Sequence, residues 1–253
     1  MKDVNVSFTV ESSNLHILRD VSLQVPRGSF LCIVGESGCG KSTSIESLDP
    51  KETFIINVAN KPLPFKGWKT KYPIFDLISK KGNCANVSAP KDIEAVLKII
   101  NNERKEIKNV VIDDFQYMSS FEFFNRAAEK GYEKFTQMGA ALAHIAKLPI
   151  LMRDDLMVFY LTHAEDATDL DGKRKVKAKT IGKLVDDKLT LEGLYSIVLF
   201  GKVKKDKDGN LRYVFETQNN GENTCKSPRG MFSTFEIPND LNFVKNAIIE
   251  YEK

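Results

Sequence analysis

The chain has 253 residues, a formal net charge of +3 at pH 7 and 42% hydrophobic residues. This length and apolar content suffice for one sizeable α/β domain with additions, and the small net charge excludes nucleic-acid binding through overall charge alone. The four cysteines show no C-x-x-C spacing, which is typical of a reduced protein without a disulfide framework or zinc site. No apolar run approaches the roughly 20 residues that span a bilayer. We therefore expect a cytoplasmic protein without a membrane span of its own.

Two segments near the start of the chain, 4–10 and 15–25, alternate apolar and polar residues. A period of two predicts β-strands, and the polar residues between the segments predict a turn, so the pair is expected to be antiparallel. We therefore predict an N-terminal antiparallel β addition over residues 1–27 and a main domain over residues 28–253.

A glycine-rich stretch follows the apolar run 30–34 and precedes helix-compatible sequence over 42–48. It fits the phosphate-loop (P-loop) pattern G-x-x-x-x-G-K-[ST]. Glycines lack a Cβ, so the backbone can turn its N–H groups toward a bound phosphate. The predicted loop consists of Gly35, Glu36, Ser37, Gly38, Cys39, Gly40, Lys41, Ser42 and Thr43.

Three side chains of this loop have distinct expected roles. Lys41 would reach the β- and γ-phosphates, and the Ser42 hydroxyl would bind Mg²⁺. Thr43 would line the side of the α-phosphate. A chance match to a glycine-rich turn is the alternative, but strand, loop and helix stand in the required order. The sequence thus predicts binding of ATP with Mg²⁺.

Residues 1–43 resemble the opening of an ATP-binding-cassette (ABC) transporter ATPase, most clearly from Val21 through Pro26-Arg27-Gly28 to the phosphate loop. The resemblance implies an aromatic residue that stacks on the nucleotide near the end of the first strand, where this chain has Val10. The L-S-G-G-Q-type signature of that family does not occur in the sequence. A transporter ATP-binding subunit is therefore the alternative function.

A second informative stretch is Val110-Val111-Ile112-Asp113-Asp114. Three β-branched residues followed by two acids match the metal-binding strand of P-loop enzymes, known as Walker B. Asp113 would hold Mg²⁺, and Asp114 would orient or deprotonate the attacking water. A strand that ends in a solvated acidic turn is the alternative, but the phosphate loop about 70 residues upstream favours the functional interpretation.

The apolar run 157–161 predicts another strand and ends in Thr162 and His163. Ligands of parallel sheets bind at the carboxyl ends of the strands, so we expect both residues to sense the γ-phosphate. A neutral His163 would bond the phosphate or the attacking water. A surface histidine is the alternative. The predicted catalytic set is Lys41, Asp114, Thr162 and His163.

A basic segment follows over residues 173–183, with alternating Lys175, Lys177 and Lys179. Its six positive charges stand against Asp171 alone, so they would repel one another unless an anion lies against them. The lysines would contact a nucleic-acid backbone, or they would reach the γ-phosphate of a neighbouring subunit in a homo-oligomer. A solvated hairpin tip is the third possibility.

Periodicity predicts the remaining elements. The aromatic residues of the long helical segment favour packing over base stacking. The predicted helices cover 90–103, 119–147 and 240–251, and the second of these is expected to break or bend near Gly131 and Gly139. The predicted strands cover 53–58, 194–202 and 211–218.

The chain carries several unusual motifs from residue 44 onward: Leu48-Asp49-Pro50, Lys61-Pro62-Leu63-Pro64-Phe65, Val111-Ile112-Asp113-Asp114-Phe115-Gln116-Tyr117, Leu161-Thr162-His163, Lys179-Thr180-Ile181-Gly182-Lys183 and Lys226-Ser227-Pro228-Arg229-Gly230-Met231-Phe232. They resemble bacteriophage ATP-binding proteins of the RecA-like branch of P-loop ATPases, often grouped with single-strand-annealing recombination ATPases. The resemblance implies a three-layer α/β RecA-like fold with a parallel core sheet, hydrolysis of Mg-ATP, and work on single-stranded DNA in the host cytoplasm. A non-catalytic, ATP-gated DNA-binding module is a further alternative.

The two resemblances meet at the phosphate loop. Such a junction is typical of a natural fusion, a recombined gene or an engineered chimera, because both kinds of protein carry a phosphate loop at the same structural point.

Overall fold

A computed structural model of the protein describes residues 4–10, 13–21, 29–168, 172–180 and 190–253. Strands β1 (Val4–Val10) and β2 (Ser13–Val21) pair antiparallel in a sheet of their own, as the alternation of the first 25 residues predicts. The end of the predicted second strand and the proposed boundary at residue 27 lie outside the described residues.

The main sheet places the phosphate-loop strand, β3, at its centre. Within the described residues its order is β11-β10-β9-β3-β7-β6-β4-β5, with β8 paired to the end of β7. The strands from β9 to β5 in this order are parallel, whereas β10 and β11 extend the sheet antiparallel. Their bounds are β3 (Phe30–Gly35), β4 (Thr53–Asn57), β5 (Cys84–Ala85), β6 (Asn109–Asp113), β7 (Met157–Thr168), β8 (Arg174–Ala178), β9 (Ile197–Lys205), β10 (Leu211–Glu216) and β11 (Glu236–Pro238).

The core lies on both faces of this sheet, because side chains alternate along each strand. In β3, Cys32 and Val34 join the core on one face, and Leu31 and Ile33 join the core on the other. The mixed α/β class with a mostly parallel central sheet is therefore confirmed.

Helices cover the two faces and complete three layers. Helices α2 and α4 supply apolar side chains to one core, and α5 supplies them to the other. None of the described helices is both long and apolar enough to cross a membrane. The helices are α1 (Trp68–Lys71), α2 (Pro90–Glu103), α3 (Gln116–Asn125), α4 (Glu133–Lys147) and α5 (Leu241–Tyr251).

The helix after the phosphate loop is shorter than predicted. The segment forms a 3-10 helix over Thr43–Ser47 instead of a longer helix, and Pro50 follows too closely for further turns. The helical segment predicted over 119–147 is divided into α3 and α4 by a connection that contains Gly131 at φ 91°, as the predicted break near Gly131 requires, whereas Gly139 lies within α4.

The aromatic side chains around this connection contact one another but are not buried. The ring centroids of Phe123 and Phe124 lie 5.4 Å apart, and those of Phe123 and Phe135 lie 6.0 Å apart. Phe124 and Tyr132 are nevertheless mostly exposed. The rings contact one another at the surface and are not buried in the core, so packing over base stacking stays a prediction.

Candidate active site

The carboxyl ends of β3 and β6 lie beside the middle of β7, near Tyr160 and His163, because the three strands are parallel and adjacent. Gly35 at the end of β3 is level with His163 on β7. A cleft of about 800 Å³ opens here, and its walls include loop residues 37–43, Asp113, Asp114 and His163. The predicted loop and the predicted acids thus share one cleft.

The phosphate loop holds its lysine in a fixed position. Lys41 is buried, and its Nζ donates to the carbonyl oxygens of Gly35 at 2.8 Å and Glu36 at 2.9 Å. A Cβ at residue 35 would lie 2.6 Å from Cys39 Sγ and 2.9 Å from the Gly201 carbonyl oxygen, so only glycine fits there. A buried ammonium group that is already positioned stabilises anionic phosphate without further ordering.

The loop backbone supplies most of the remaining donors. Gly38 and Gly40 have φ of 81° and 89°, which side chains rarely permit. The helix that follows is a single 3-10 element, Thr43–Ser47, so its dipole is short. Backbone N–H groups and Lys41 therefore suit this loop to a phosphate better than a helix dipole does.

Ser42 and Asp113 lie side by side as a pair of oxygen donors. The Ser42 hydroxyl donates to Asp113 Oδ1 at 2.9 Å, although the two residues are far apart in sequence. Burial and the neighbouring Asp114 carboxylate raise the pKa of Asp113 to about 6, against a lowering effect of the Ser42 hydrogen bond. Hydroxyl and carboxylate oxygens are ligands that Mg²⁺ prefers, and Mg²⁺ normally adds phosphate oxygens and water to them. The donor set therefore fits magnesium.

Asp114 is buried between two basic side chains. Its φ of 59° lies in the left-handed region, which aspartate tolerates better than most residues. His163 Nε2 lies 3.2 Å from Oδ1, and Lys61 Nζ forms an ion pair with Oδ2. Burial acts to raise the pKa of Asp114, but hydrogen bonds from His163 and Lys61 outweigh it and lower the pKa. An ionised carboxylate with a lowered pKa is a weak base, so Asp114 is better suited to orient a water molecule than to deprotonate it.

The same contact fixes how His163 can act. A carboxylate only accepts, so Nε2 of His163 donates to Asp114. In the neutral ring, Nδ1 is then an acceptor, which matches a water O–H and not a phosphate oxygen. The edge of the Tyr117 ring meets the imidazole, with centroids 5.9 Å apart. The arrangement favours a contact of His163 with water over a contact with phosphate.

Thr162 occupies a different position from the one we expected. It is fully buried, and its hydroxyl donates to Gln116 Oε1 at 3.2 Å. The same oxygen accepts the backbone N–H of His163 at 3.1 Å. Alternation along β7 turns the Thr162 side chain toward the core, so the cleft receives His163 and not Thr162. Thr162 therefore supports the part of β7 that carries His163.

Replacing Gln116 with methionine is expected to lower the free energy of unfolding by about 1–3 kcal/mol. The change leaves the Thr162 hydroxyl and the His163 N–H without their shared acceptor inside the protein. Urea unfolding measures the loss. Gln137→Met on the exposed side of α4 is the control and should change stability by under about 0.5 kcal/mol. Equal stability of Gln116→Met and the wild type would contradict the shared-acceptor role.

The basic segment forms the outer strand of a hairpin. Strand β8 pairs antiparallel with the end of β7, where Glu165 faces Lys177. Lys177 Nζ lies 3.3 Å from the Glu165 carboxylate, and the Arg174 guanidinium lies 2.9 Å from that of Asp166. The expectation that these charges stand against Asp171 alone is therefore wrong. The sequence count misses carboxylates that the neighbouring strand provides.

This hairpin is also attached to the cleft. The backbone N–H of Lys179 donates to the carbonyl oxygen of His163 at 2.8 Å. The other lysines of the predicted set, Lys175 and Lys177, lie within β8. Residues 181–189, which include the rest of the basic segment, are outside the described residues.

The sequence patterns assign no role to three residues of the cleft, Lys61, Tyr213 and Asn239, or to the buried Gln116 that bonds Thr162. Lys61 and Gln116 lie inside unusual sequence motifs, and those motifs could have indicated that the two residues belong to the site. The backbone of Lys61 is fixed by the Asn57 amide, whose Nδ2 donates to the Lys61 carbonyl oxygen at 2.7 Å. Tyr213 and Asn239 belong to no motif and reach the loop only through the fold.

The comparisons with known proteins concentrate on the phosphate loop. Residues 18–60, about a sixth of the chain, match the family model described as ABC transporter. The oligopeptide transport ATP-binding protein OppD of Mycoplasma genitalium is 50% identical over 46 residues, which are 18% of this chain and 11% of that protein. The methionine import ATP-binding protein MetN 1 of Acinetobacter baylyi is 29% identical over 124 residues, 44% of this chain and 33% of that protein.

These matches cover only part of each relative. The chain spans about a tenth of the length of OppD and a third of that of MetN 1. Among solved structures, the genome packaging NTPase B204 from Sulfolobus turreted icosahedral virus 2, in complex with ATP-gammaS, aligns over 72% of this chain and 78% of its own. Its identity is 11% and its TM-score 0.38, a similarity too low to support a functional inference.

Taken together, the loop motif, the mixed α/β sheet and the family match agree on the coarse class. They support the predicted ATP-binding loop and Mg-ATP as its ligand, and they carry no support for phage origin or DNA recombination. In the sequence around its phosphate loop the chain is similar to ABC transporter ATP-binding proteins, and that loop lies at the centre of a mixed α/β sheet.

Proposed function

We propose that the protein binds Mg-ATP in the cleft and hydrolyses it by in-line attack of water. The observation that carries this proposal is the convergence of buried Lys41, the Ser42–Asp113 pair and the Asp114–His163 pair at the carboxyl ends of β3 and β6. Each side chain is held by a hydrogen bond, so little ordering is needed when the nucleotide binds.

Each residue has a separate task in this reaction. Lys41 stabilises negative charge on the β- and γ-phosphates, while Ser42 and Asp113 hold the metal. Magnesium, when bound, neutralises charge that develops on the phosphate oxygens. Asp114 accepts a hydrogen bond from the attacking water, and His163 steadies that carboxylate through Nε2.

We further infer that the protein acts on single-stranded DNA and couples this action to ATP hydrolysis. The resemblance of residues 44–253 to phage recombination ATPases motivates this inference, and the basic hairpin supplies cations beside the cleft. Because Lys179 bonds the backbone of His163, a change in the cleft on ATP binding would reach the strand that carries Lys175 and Lys177. The affinity of these lysines for the DNA phosphates would then depend on whether ATP is bound.

A transporter ATP-binding subunit is the second candidate, and the comparisons favour it more directly than the DNA-linked function. The match of residues 18–60 to the ABC transporter model is the specific observation for it. This candidate predicts head-to-tail dimers on ATP and a membrane-protein partner, whereas the signature that such dimers use is absent from the sequence.

Phosphate release from Mg-ATP, measured with and without single-stranded DNA, separates these candidates. The proposed function predicts metal-dependent release that EDTA abolishes and DNA stimulates. Release without a DNA effect, together with a doubling of solution mass on ATP, would favour the transporter subunit. Absence of release in every condition, with DNA binding retained, would favour the non-catalytic module.

The variant with Lys175, Lys177 and Lys179 all changed to alanine is expected to bind single-stranded DNA more weakly. Each lost phosphate contact should reduce the slope of log K against log [salt] by about 0.7. Fluorescence anisotropy at several salt concentrations measures both quantities. The control is Lys91, Lys98 and Lys105 changed to alanine, which removes the same charge from α2 and the turn beyond it. Unchanged DNA binding with lost hydrolysis would replace the DNA role by a trans-acting one.

A further inference from the structure

We propose that the base of the nucleotide binds at the end of the cleft opposite the acids, stacked on Tyr213 and bounded by Pro238 and Asn239, with adenine preferred over guanine. This inference rests on the proposed function, since it assigns a subsite of the same cleft. It also locates the base independently of the N-terminal strands.

The order of the strands separates the two ends of the cleft. Strand β6, which carries Asp113, lies on one side of β3, and β10, which carries Tyr213, lies on the other. The phosphate loop runs between them and lines the same cleft. A triphosphate with its γ-phosphate at the acids has its α-phosphate near Thr43, so the nucleoside must continue toward β10 and β11.

Side chains at this end lie directly against the loop. A Cβ placed on Gly40 would be 3.0 Å from Tyr213 Cδ1 and 3.1 Å from Asn239 Oδ1. Asn239 Nδ2 donates to the carbonyl oxygen of Cys39 at 3.1 Å, which ties the segment after β11 to the loop. Tyr213 and Asn239 are thus held within one nucleotide length of the phosphate site.

The chemistry of these groups matches a purine. Tyr213 is 46% exposed, so its ring has surface available for stacking, which is worth about 1–3 kcal/mol per base. The proline ring of Pro238 adds apolar surface at the same end of the cleft.

The amide of Asn239 distinguishes between purines. Its Nδ2 is directed to the Cys39 carbonyl oxygen, and the acceptor Oδ1 lies on the other side of the amide, beside Gly40. Adenine presents an amino donor where guanine presents an oxygen acceptor. An acceptor at this position favours adenine.

The test compares ATP with inorganic tripolyphosphate, which shares the phosphates but lacks the base. Tyr213→Ala is expected to weaken ATP binding about 10-fold in the presence of Mg²⁺ and to leave tripolyphosphate binding unchanged, as measured by calorimetry. In hydrolysis assays KM should rise while kcat stays the same. Tyr213→Phe should retain wild-type affinity. Tyr251→Ala, which removes a tyrosine of almost equal exposure (47%) from α5, is the matched control.

Equal weakening of both ligands by Tyr213→Ala, or weakening of neither, overturns the base subsite and leaves the proposed function standing. Failure of the wild type to bind either ligand overturns both proposals. For the choice of base, Asn239→Ala is expected to reduce the ratio of ATP to GTP affinity about 10-fold. An unchanged ratio overturns the preference for adenine.

Discussion

Replacing Lys41 with alanine is expected to reduce the turnover of Mg-ATP by at least about 10²–10³-fold and to weaken ATP binding. The ammonium group is buried in the loop and is the only cation held by the Gly35 and Glu36 carbonyl oxygens among the described contacts. Its removal leaves charge on the transferred phosphate without its nearest stabilising group. Phosphate release and calorimetric ATP titration measure the two losses.

The control for this prediction is Lys51→Ala, which removes an exposed lysine close in sequence and should leave turnover unchanged. Thermal unfolding of both variants shows whether each protein still folds. If Lys41→Ala is unfolded, Lys41→Arg, which retains the positive charge, takes its place in the turnover measurement. A folded Lys41→Ala protein with wild-type affinity and turnover would refute the site as proposed.

Replacing Asp113 with asparagine is expected to have opposite effects on activity and stability. Turnover should fall by about 10²-fold or more, since a metal-holding carboxylate is lost. The metal-free protein should become more stable at pH 8, because burial and the Asp114 carboxylate disfavour the charged form of Asp113. Asparagine keeps an acceptor for the Ser42 hydroxyl and carries no charge.

The sign of the pH dependence follows from the raised pKa. Asp113 has a pKa of about 6 in the folded protein against an ordinary value of 3.8, so the folded state binds the proton more tightly. Its ionisation therefore lowers stability as the pH rises from about 4 to 6, and the full cost of up to about 3 kcal/mol remains above pH 6. The advantage of Asp113→Asn should be present at pH 8 and shrink toward pH 4.

Thermal unfolding with EDTA at pH 5 and pH 8 measures this difference, at about 2–4 °C per kcal/mol for a domain of this size. Asp155→Asn is the matched control. Lys108 and Arg153 lower the pKa of exposed Asp155, so its replacement should give no stabilisation at pH 8. A lower unfolding temperature of Asp113→Asn at pH 8 would contradict the cost assigned to its charge. At the proposed metal site, the charged Asp113 carboxylate therefore lowers the stability of the metal-free protein.

The elements whose signal is local were predictable from the chain. Strands β3 and β6 are short apolar runs, with β-branched residues at two of six positions in β3 and three of five in β6, and such runs favour a buried sheet. Helix α2 repeats its apolar residues at helical spacing and begins at Pro90, a residue suited to a first turn. The phosphate loop was equally readable, because its glycines and Lys41 lie within nine consecutive positions.

The contacts that complete the site were not predictable, because they join residues far apart in the chain. Local patterns were enough to identify the phosphate loop, the acids Asp113 and Asp114, and the strands that carry them. The pairing of Lys61 with Asp114, the burial of Thr162 and the contact of Tyr213 with the loop follow from the three-dimensional fold. Periodicity and turn chemistry act between near neighbours, whereas strand order and side-chain direction in a sheet depend on which distant segments pair.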